Sequence, residues 1–132
     1  MKLSELKPGD WVLLNDEGVE REGTVISVSQ EDHKVLVNNG IQEFWYELEY
    51  IKPLPLSEKQ LFDLGFEKLE SDNGAKYGKG AFRVHTPSGT DFSQIETWYR
   101  EDKRYFNHPI TVSHLQNIHL DMTKVPLENS PH

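Results

Sequence analysis

Lys7-Pro8-Gly9-Asp10, followed at once by Trp11-Val12-Leu13-Leu14, constrains this chain more than any other stretch. Proline presets φ at the first corner of a turn and glycine accepts a positive φ at the second, so the chain reverses there and enters a strand. Two further β-branched runs follow at residues 23–29 and 34–37, with polar tips at 15–18 and 30–33. Short runs spaced by turn residues in this way are the pattern of a small, tightly wound antiparallel sheet. Gly23 predicts a bend in the second strand. Asn38-Asn39-Gly40 predicts a type I′ hairpin, because Asn-Gly adopts two positive φ angles at little cost. Residues 41–46 then make a fourth strand and 50–52 a fifth, which is expected to close the sheet into a barrel without free edges. Trp11, Val25, Val35 and Val37 are the expected core, completed by one of Trp45 or Tyr46.

Lys52-Pro53-Leu54-Pro55-Leu56 interrupts this pattern. Alternate prolines remove backbone donors and hold the chain extended, so one module ends at residue 52 and another begins at 53. Ser57 and Gln60 are spaced as a capping box and Gly65 as a helix terminator, which predicts a helix over 57–64. Residues 66–69 resume extended structure, 71–74 turn, 76–85 read as a strand broken at Gly78 and Gly80, and 91–100 as a further strand. Thr111 is a candidate N-cap for a helix over 112–123. Val112, Leu115, Ile118 and Met122 share one helical stripe, Gln116, Asn117 and Asp121 face water, and His119 borders the stripe with a partly buried, hydrogen-bonded ring. Pro126 ends that module, and 127–132 is expected to be a flexible tail.

The chain of 132 residues buries roughly two-thirds of its unfolded surface at this size. Six Phe, five Tyr and three Trp supply stiff core pieces. No cysteine is present, which excludes disulfides, thiolate nucleophiles and Cys-ligated metals. No apolar run approaches membrane-spanning length and the first residues lack an apolar signal segment, so a soluble, cytoplasmic protein is expected, without membrane partners. Charge is uneven: residues 1–52 carry five Lys/Arg against eleven Asp/Glu, and residues 53–132 carry nine against eleven. A polyanion approaching the first half is repelled.

Lys7-Pro8-Gly9-Asp10-Trp11-Val12 with Gly23-Thr24-Val25 resembles the first two strands of KOW- and Tudor-type SH3-like barrels. The order Tyr50-Ile51-Lys52-Pro53-Leu54-Pro55-Leu56-Ser57, then Leu64-Gly65-Phe66-Glu67-Lys68, then His114-Leu115-Gln116-Asn117-Ile118 is similar to small proteins of Bacteroidetes genomes and their prophages. That resemblance implies an architecture and brings no activity with it. The fold class expected is therefore α+β: an SH3-like small β-barrel over 1–52, then a small antiparallel sheet with two helices over 53–126.

Four chemistries bear on these residues. His114 and His119 stand five apart, about 140° around a helix, so they do not share a ligand as an i, i+4 pair does, and no metal site is expected. Serines 57, 71, 88 and 113 fall at caps and turns, and none sits on a Gly-x-Ser-x-Gly elbow. Tyr77-Gly78-Lys79-Gly80 and Pro87-Ser88-Gly89-Thr90 lack the ending of a phosphate loop. Aromatic recognition is the strongest of the four. Phe44, Trp45 and Tyr46 are consecutive on a strand, which sets Trp45 opposite to the other two, and Tyr50 and Trp11 are near enough to join an exposed ring. Trp98, Tyr99, Arg100 and Arg104, with Lys103, Tyr105 and Phe106, form a second aromatic and basic cluster.

These features predict a non-enzymatic interaction or adaptor protein, carried by a phage or other mobile element, with another protein as partner and no cofactor. The alternative is nucleic-acid binding through residues 98–104.

Overall fold

The computed structural model describes residues 2–128. The fold is α+β, with two antiparallel sheets and two α-helices among the described residues. The chain divides into two units, Met1–Leu54 and Pro55–His132. The division falls inside the Pro-x-Pro segment, two residues beyond the boundary expected at 52.

In the first unit, strands β1 (Trp11–Asp16), β2 (Val19–Ser29), β3 (Lys34–Asn38), β4 (Glu43–Glu47) and β5 (Ile51–Pro53) form one sheet in the order β4-β3-β2-β1-β5. The initial turn is built as its sequence predicts: Gly9 has φ 93° and Asp10 N–H donates to the Lys7 carbonyl at 3.1 Å. Asp10 is fully buried; its carboxylate accepts the Lys7 backbone N–H and pairs with the Lys7 ammonium. Its carbonyl accepts Val25 N–H while Gly9 N–H donates to the Val25 carbonyl, both at 2.8 Å, which fastens β2 to the start of β1.

β1 runs two residues beyond the expected strand and reverses at Glu17-Gly18, both at positive φ, in a type I′ hairpin. Gly23 is required by close packing. A Cβ there would lie 2.7 Å from Val37 Cγ1 and 2.8 Å from Leu14 Cδ1. A bulge between Val25 and Ser27 adds twist to the long β2. Val12, Leu14, Val25, Val35, Val37, Tyr46 and Ile51 pack with Leu3 and Leu6 of the first residues as the core of this unit.

Three expectations change here. Trp11 is buried but is not part of that cluster, because strand alternation sets it on the opposite face of β1 from Val12 and Leu14. Asn38-Asn39-Gly40 does not form a type I′ turn. Asn39 is buried, its side-chain oxygen accepts from the Ile41 and Gln42 N–H groups at 2.9 Å, and a longer loop results. Nor is the sheet closed: β4 pairs with β3, β5 pairs with β1, and the two do not pair with each other among the described residues. A three-residue β5 gives too short a ladder to complete a barrel.

In the second unit, α1 (Glu58–Asp63) precedes β6 (Glu67–Leu69), β7 (Ala75–Lys79), β8 (Phe82–Thr86), β9 (Ile95–Tyr99) and β10 (Asp102–Phe106), and α2 (Val112–Thr123) follows. The strands run as an uninterrupted meander, β10-β9-β8-β7-β6. Residues 76–85, expected as one broken strand, are a hairpin turned at Gly80-Ala81, with Gly80 at φ 57°. Residues 91–100 yield a strand only from Ile95. β10 had no sequence signal, since its turn is Arg100-Glu101 and Arg100 takes φ 58° without being a turn residue by type.

Ser57 precedes α1, but its hydroxyl engages the Gln60 side chain and makes no cap to the backbone, so the expected capping box is not formed. The other end is a Schellman motif. Phe66 N–H donates to the Leu61 carbonyl and Gly65 N–H, at φ 94°, to the Phe62 carbonyl, both at 3.0 Å. Lys79 Nζ donates to the remaining Leu64 carbonyl at 2.7 Å.

α2 begins and ends where its sequence predicts, with Thr111 Oγ1 accepting His114 N–H at 3.1 Å. Val112, Leu115 and Ile118 are buried as expected. Gln116 is buried too, against expectation, because its Nε2 donates to the Leu127 carbonyl at 2.9 Å. Leu127 is itself 2 % exposed, so the expected free tail does not start at residue 127; residues 129–132 lie outside the described residues. The His119 ring is buried, 4.8 Å from the Phe82 ring, and its Nδ1–H donates to the Val125 carbonyl at 2.8 Å. No helix among the described residues is long and apolar enough to cross a membrane.

Candidate functional site

Two surfaces carry the aromatic residues that the sequence singles out, one in each unit. In the first unit, the end of β1, its I′ turn, the β3–β4 loop, β4 and Tyr50 surround a groove of about 550 Å3. Phe44, Trp45 and Tyr50 line it and are 53, 44 and 43 % exposed. Tyr46 is the buried member of the consecutive three, packed edge-to-face against Phe44 at 5.2 Å between ring centres. Its hydroxyl accepts from Asn39 Nδ2 at 3.0 Å, so the loop that replaced the expected hairpin turn also fixes this ring. Phe44 shares the face of Tyr46 and stands opposite Val37 of β3, yet it stays exposed, bordering the groove with Asn39, Ile41 and Gln42 of the β3–β4 loop.

The charged lining is mainly acidic, Asp16, Glu17 and Glu47 against Lys34, with the amides of Asn15, Asn39 and Gln42 between them. Asp16 is held by Arg21 Nε at 3.1 Å. Beside the groove, a hydrogen bond with Glu47 raises the Glu49 carboxyl above its ordinary value, and burial and the Glu47 charge add to it. Two carboxylates thus crowd one another where a cation would relieve them. Among the described residues, no serine, threonine or histidine lines the groove.

In the second unit, alternation sorts the other cluster onto opposite faces of the sheet. Tyr77, Phe82, Thr97, Arg104 and Phe106 belong to the face that both helices cover. Tyr77 OH donates to Glu58 Oε2 at 2.6 Å and Lys68 Nζ to the same oxygen at 3.0 Å, tying α1 to the sheet. The Tyr77 and Lys68 bonds hold the Glu58 carboxyl below its ordinary value; burial and the same bond raise the Tyr77 phenol. Arg104 binds Asp121 of α2 at 2.8 Å and Asp102 at 3.2 Å, which lowers the Asp121 carboxyl. Tyr99 shares that face, and Arg100 lies at the turn with its guanidinium 5.0 Å from the Tyr99 ring.

Trp98 alone of the four expected residues points the other way. Its face carries Lys76, Arg83, His85, Glu96, Lys103 and Tyr105. Lys76 and Lys103 place their ammonium groups 5.3 and 5.5 Å from the centre of the indole. Sequence reasoning missed Asp16, Glu17 and Ile41 at the groove, and Lys76 and Arg83 on the sheet. Their turns and strands are legible one at a time, but which residues become neighbours depends on pairing register. Among the described residues, no three His, Asp or Glu side chains gather as metal ligands. Comparison with family models, with curated proteins and with solved structures gives no match for this chain.

Proposed function

We propose that the chain is a non-enzymatic interaction protein whose first unit, of SH3-like organisation, receives a cationic side chain of a partner protein in the acidic, aromatic groove. The observation that carries this reading is the convergence of three exposed rings, Phe44, Trp45 and Tyr50, with the carboxylates of Asp16, Glu17 and Glu47 around one groove. Aromatic faces attract a cation through their quadrupole, and partial desolvation in a groove strengthens that attraction. Monomeric proteins seldom leave several large apolar rings exposed together without a binding role. The strand order β4-β3-β2-β1-β5 and the Pro-Gly-Asp entry support the SH3-like assignment. The surplus of carboxylates in residues 1–52 favours a basic partner and steers it toward this unit.

A titration followed by tryptophan fluorescence tests the reading. Short peptides that differ only in one central residue, arginine, lysine, trimethyllysine or norleucine, are added to the whole chain. The cationic peptides are expected to bind and the norleucine peptide not, with Trp45→Ala and Glu47→Gln each weakening the interaction. Equal binding of the norleucine peptide, or no effect of either substitution, rejects the proposal.

A further inference from the structure

We infer that the open face of the second sheet binds single-stranded nucleic acid, with Trp98 as the stacking platform and Lys76, Arg83 and Lys103 as phosphate contacts. Both helices of this unit lie on the other face, through Glu58 to Tyr77, Asp121 to Arg104 and His119 to Phe82. On the open face, Arg83 of β8 and Lys103 of β10 stand directly opposite Trp98 across the two ladders. Lys76 of β7 reaches the same ring from the far side of β8. Two ammonium groups thus flank the indole, and neither lysine has a carboxylate partner among the described residues, while the Arg83 guanidinium donates to the Gly80 and Phe82 carbonyls at 2.6 and 3.1 Å.

A further detail suits an extended polyanion. Tyr105 is 56 % exposed, and its register places it diagonal to Trp98, about 7–8 Å away, as a second ring for an adjacent base. The acidic groups on this face are Glu67 and Glu96, so its local balance is positive in a chain whose net charge is −8. A nucleotide presents the π-face of its base together with its phosphate only when unpaired, and both helices of this unit, the elements that could enter a duplex groove, lie on the other face. DNA and RNA single strands share this chemistry.

The test uses the whole chain with fluorescently labelled oligothymidylate and oligouridylate of about 12 nucleotides, read by anisotropy and by quenching of tryptophan emission. Binding of either strand, weakening as salt rises, is expected, and the tighter of the two identifies the source. Trp98→Leu should weaken binding roughly 5- to 100-fold. Lys103→Ala and Lys76→Ala should each flatten the slope of log K against log salt by about 0.7. Arg104→Gln, on the covered face, should leave affinity unchanged. The double change Lys76→Ala with Lys103→Ala alters only surface side chains and carries the test if Trp98→Leu does not fold. No binding at about 50 mM salt overturns the inference, as does affinity unchanged in the lysine double variant, or duplex binding as tight as single-strand binding.

Discussion

The two sheets have the same number of strands and the same antiparallel meander at their centre, yet they set their outward-facing aromatic residues in opposite electrostatic settings. In the first unit, Trp45 and its neighbours look out among Asp16, Glu17 and Glu47; in the second, Trp98 lies between Lys76 and Lys103. An indole is a weak, unspecific binder alone. Its neighbours decide whether it receives a cation or offers a platform to a base between phosphates. The way each core is covered differs as well. The first sheet wraps its valine face around itself and Leu3 and Leu6, whereas the second lies under two helices.

The strongest way to probe that difference is to empty the helix-covered core. Phe82→Ala removes a ring in contact with Phe66 and His119 and is expected to cost about 3–5 kcal/mol, measured by urea unfolding. A loss below about 1 kcal/mol would mean that α2 does not depend on that packing. Next in size is Gln116→Ala, which leaves the Leu127 carbonyl without its donor in a buried place, at about 1–3 kcal/mol in the same assay.

A pair of glycines sharpens the contrast further. Gly23→Ala pushes a methyl into Val37, Leu14 and the Asn38 carbonyl and should cost about 1–3 kcal/mol. Gly78→Ala meets only the ends of Leu69 and Arg83, which can move aside, and should cost less than about 1 kcal/mol. Equal losses would show that the open face is as tightly built as the valine core.

Smallest is a pH effect confined to the second unit. Burial, and to a lesser degree the Lys79 charge, lowers the His119 pKa from its ordinary value, although the bond to Val125 opposes this. The unfolded chain therefore takes up a proton near pH 6.5 that the folded chain refuses, and stability declines as pH falls below that value. His114 adds in the same sense through burial and the nearby His108. Urea midpoints at about pH 7 and pH 5 should differ less in His119→Gln than in the parent; an unchanged difference would remove His119 from the account.

Much of the backbone plan was legible because turn chemistry is local. The Pro-Gly-Asp entry, the Gly65 terminator and the Thr111 cap each act within a few residues, and each stands where its pattern places it. Failures fell where a distant partner decides. Gln116 sits inside because Leu127 needs a donor, and Asn39 abandons its hairpin because Tyr46 and two loop N–H groups recruit its side chain. The candidate site was legible by residue type but not by side. Trp98 and Arg104, six apart in sequence, are separated by the thickness of a sheet because the Arg100-Glu101 turn sets β10 in a register that no residue type announces.

An open sheet also has a cost that a closed barrel escapes, since each outer strand offers its backbone to any passing chain. The two outer strands of the first unit meet that hazard differently. β5 is three residues long and ends in Pro53, which has no N–H to give. β4 begins and ends with Glu43 and Glu47, whose charges would face their own copies in an edge-to-edge pair. The hydrophobic run of β3, the segment best suited to fibrous stacking, is enclosed between β2 and β4. Resistance to aggregation in this unit thus rests on one proline and two glutamates at its margins, and their removal would show first as turbidity on storage rather than as a lower melting point.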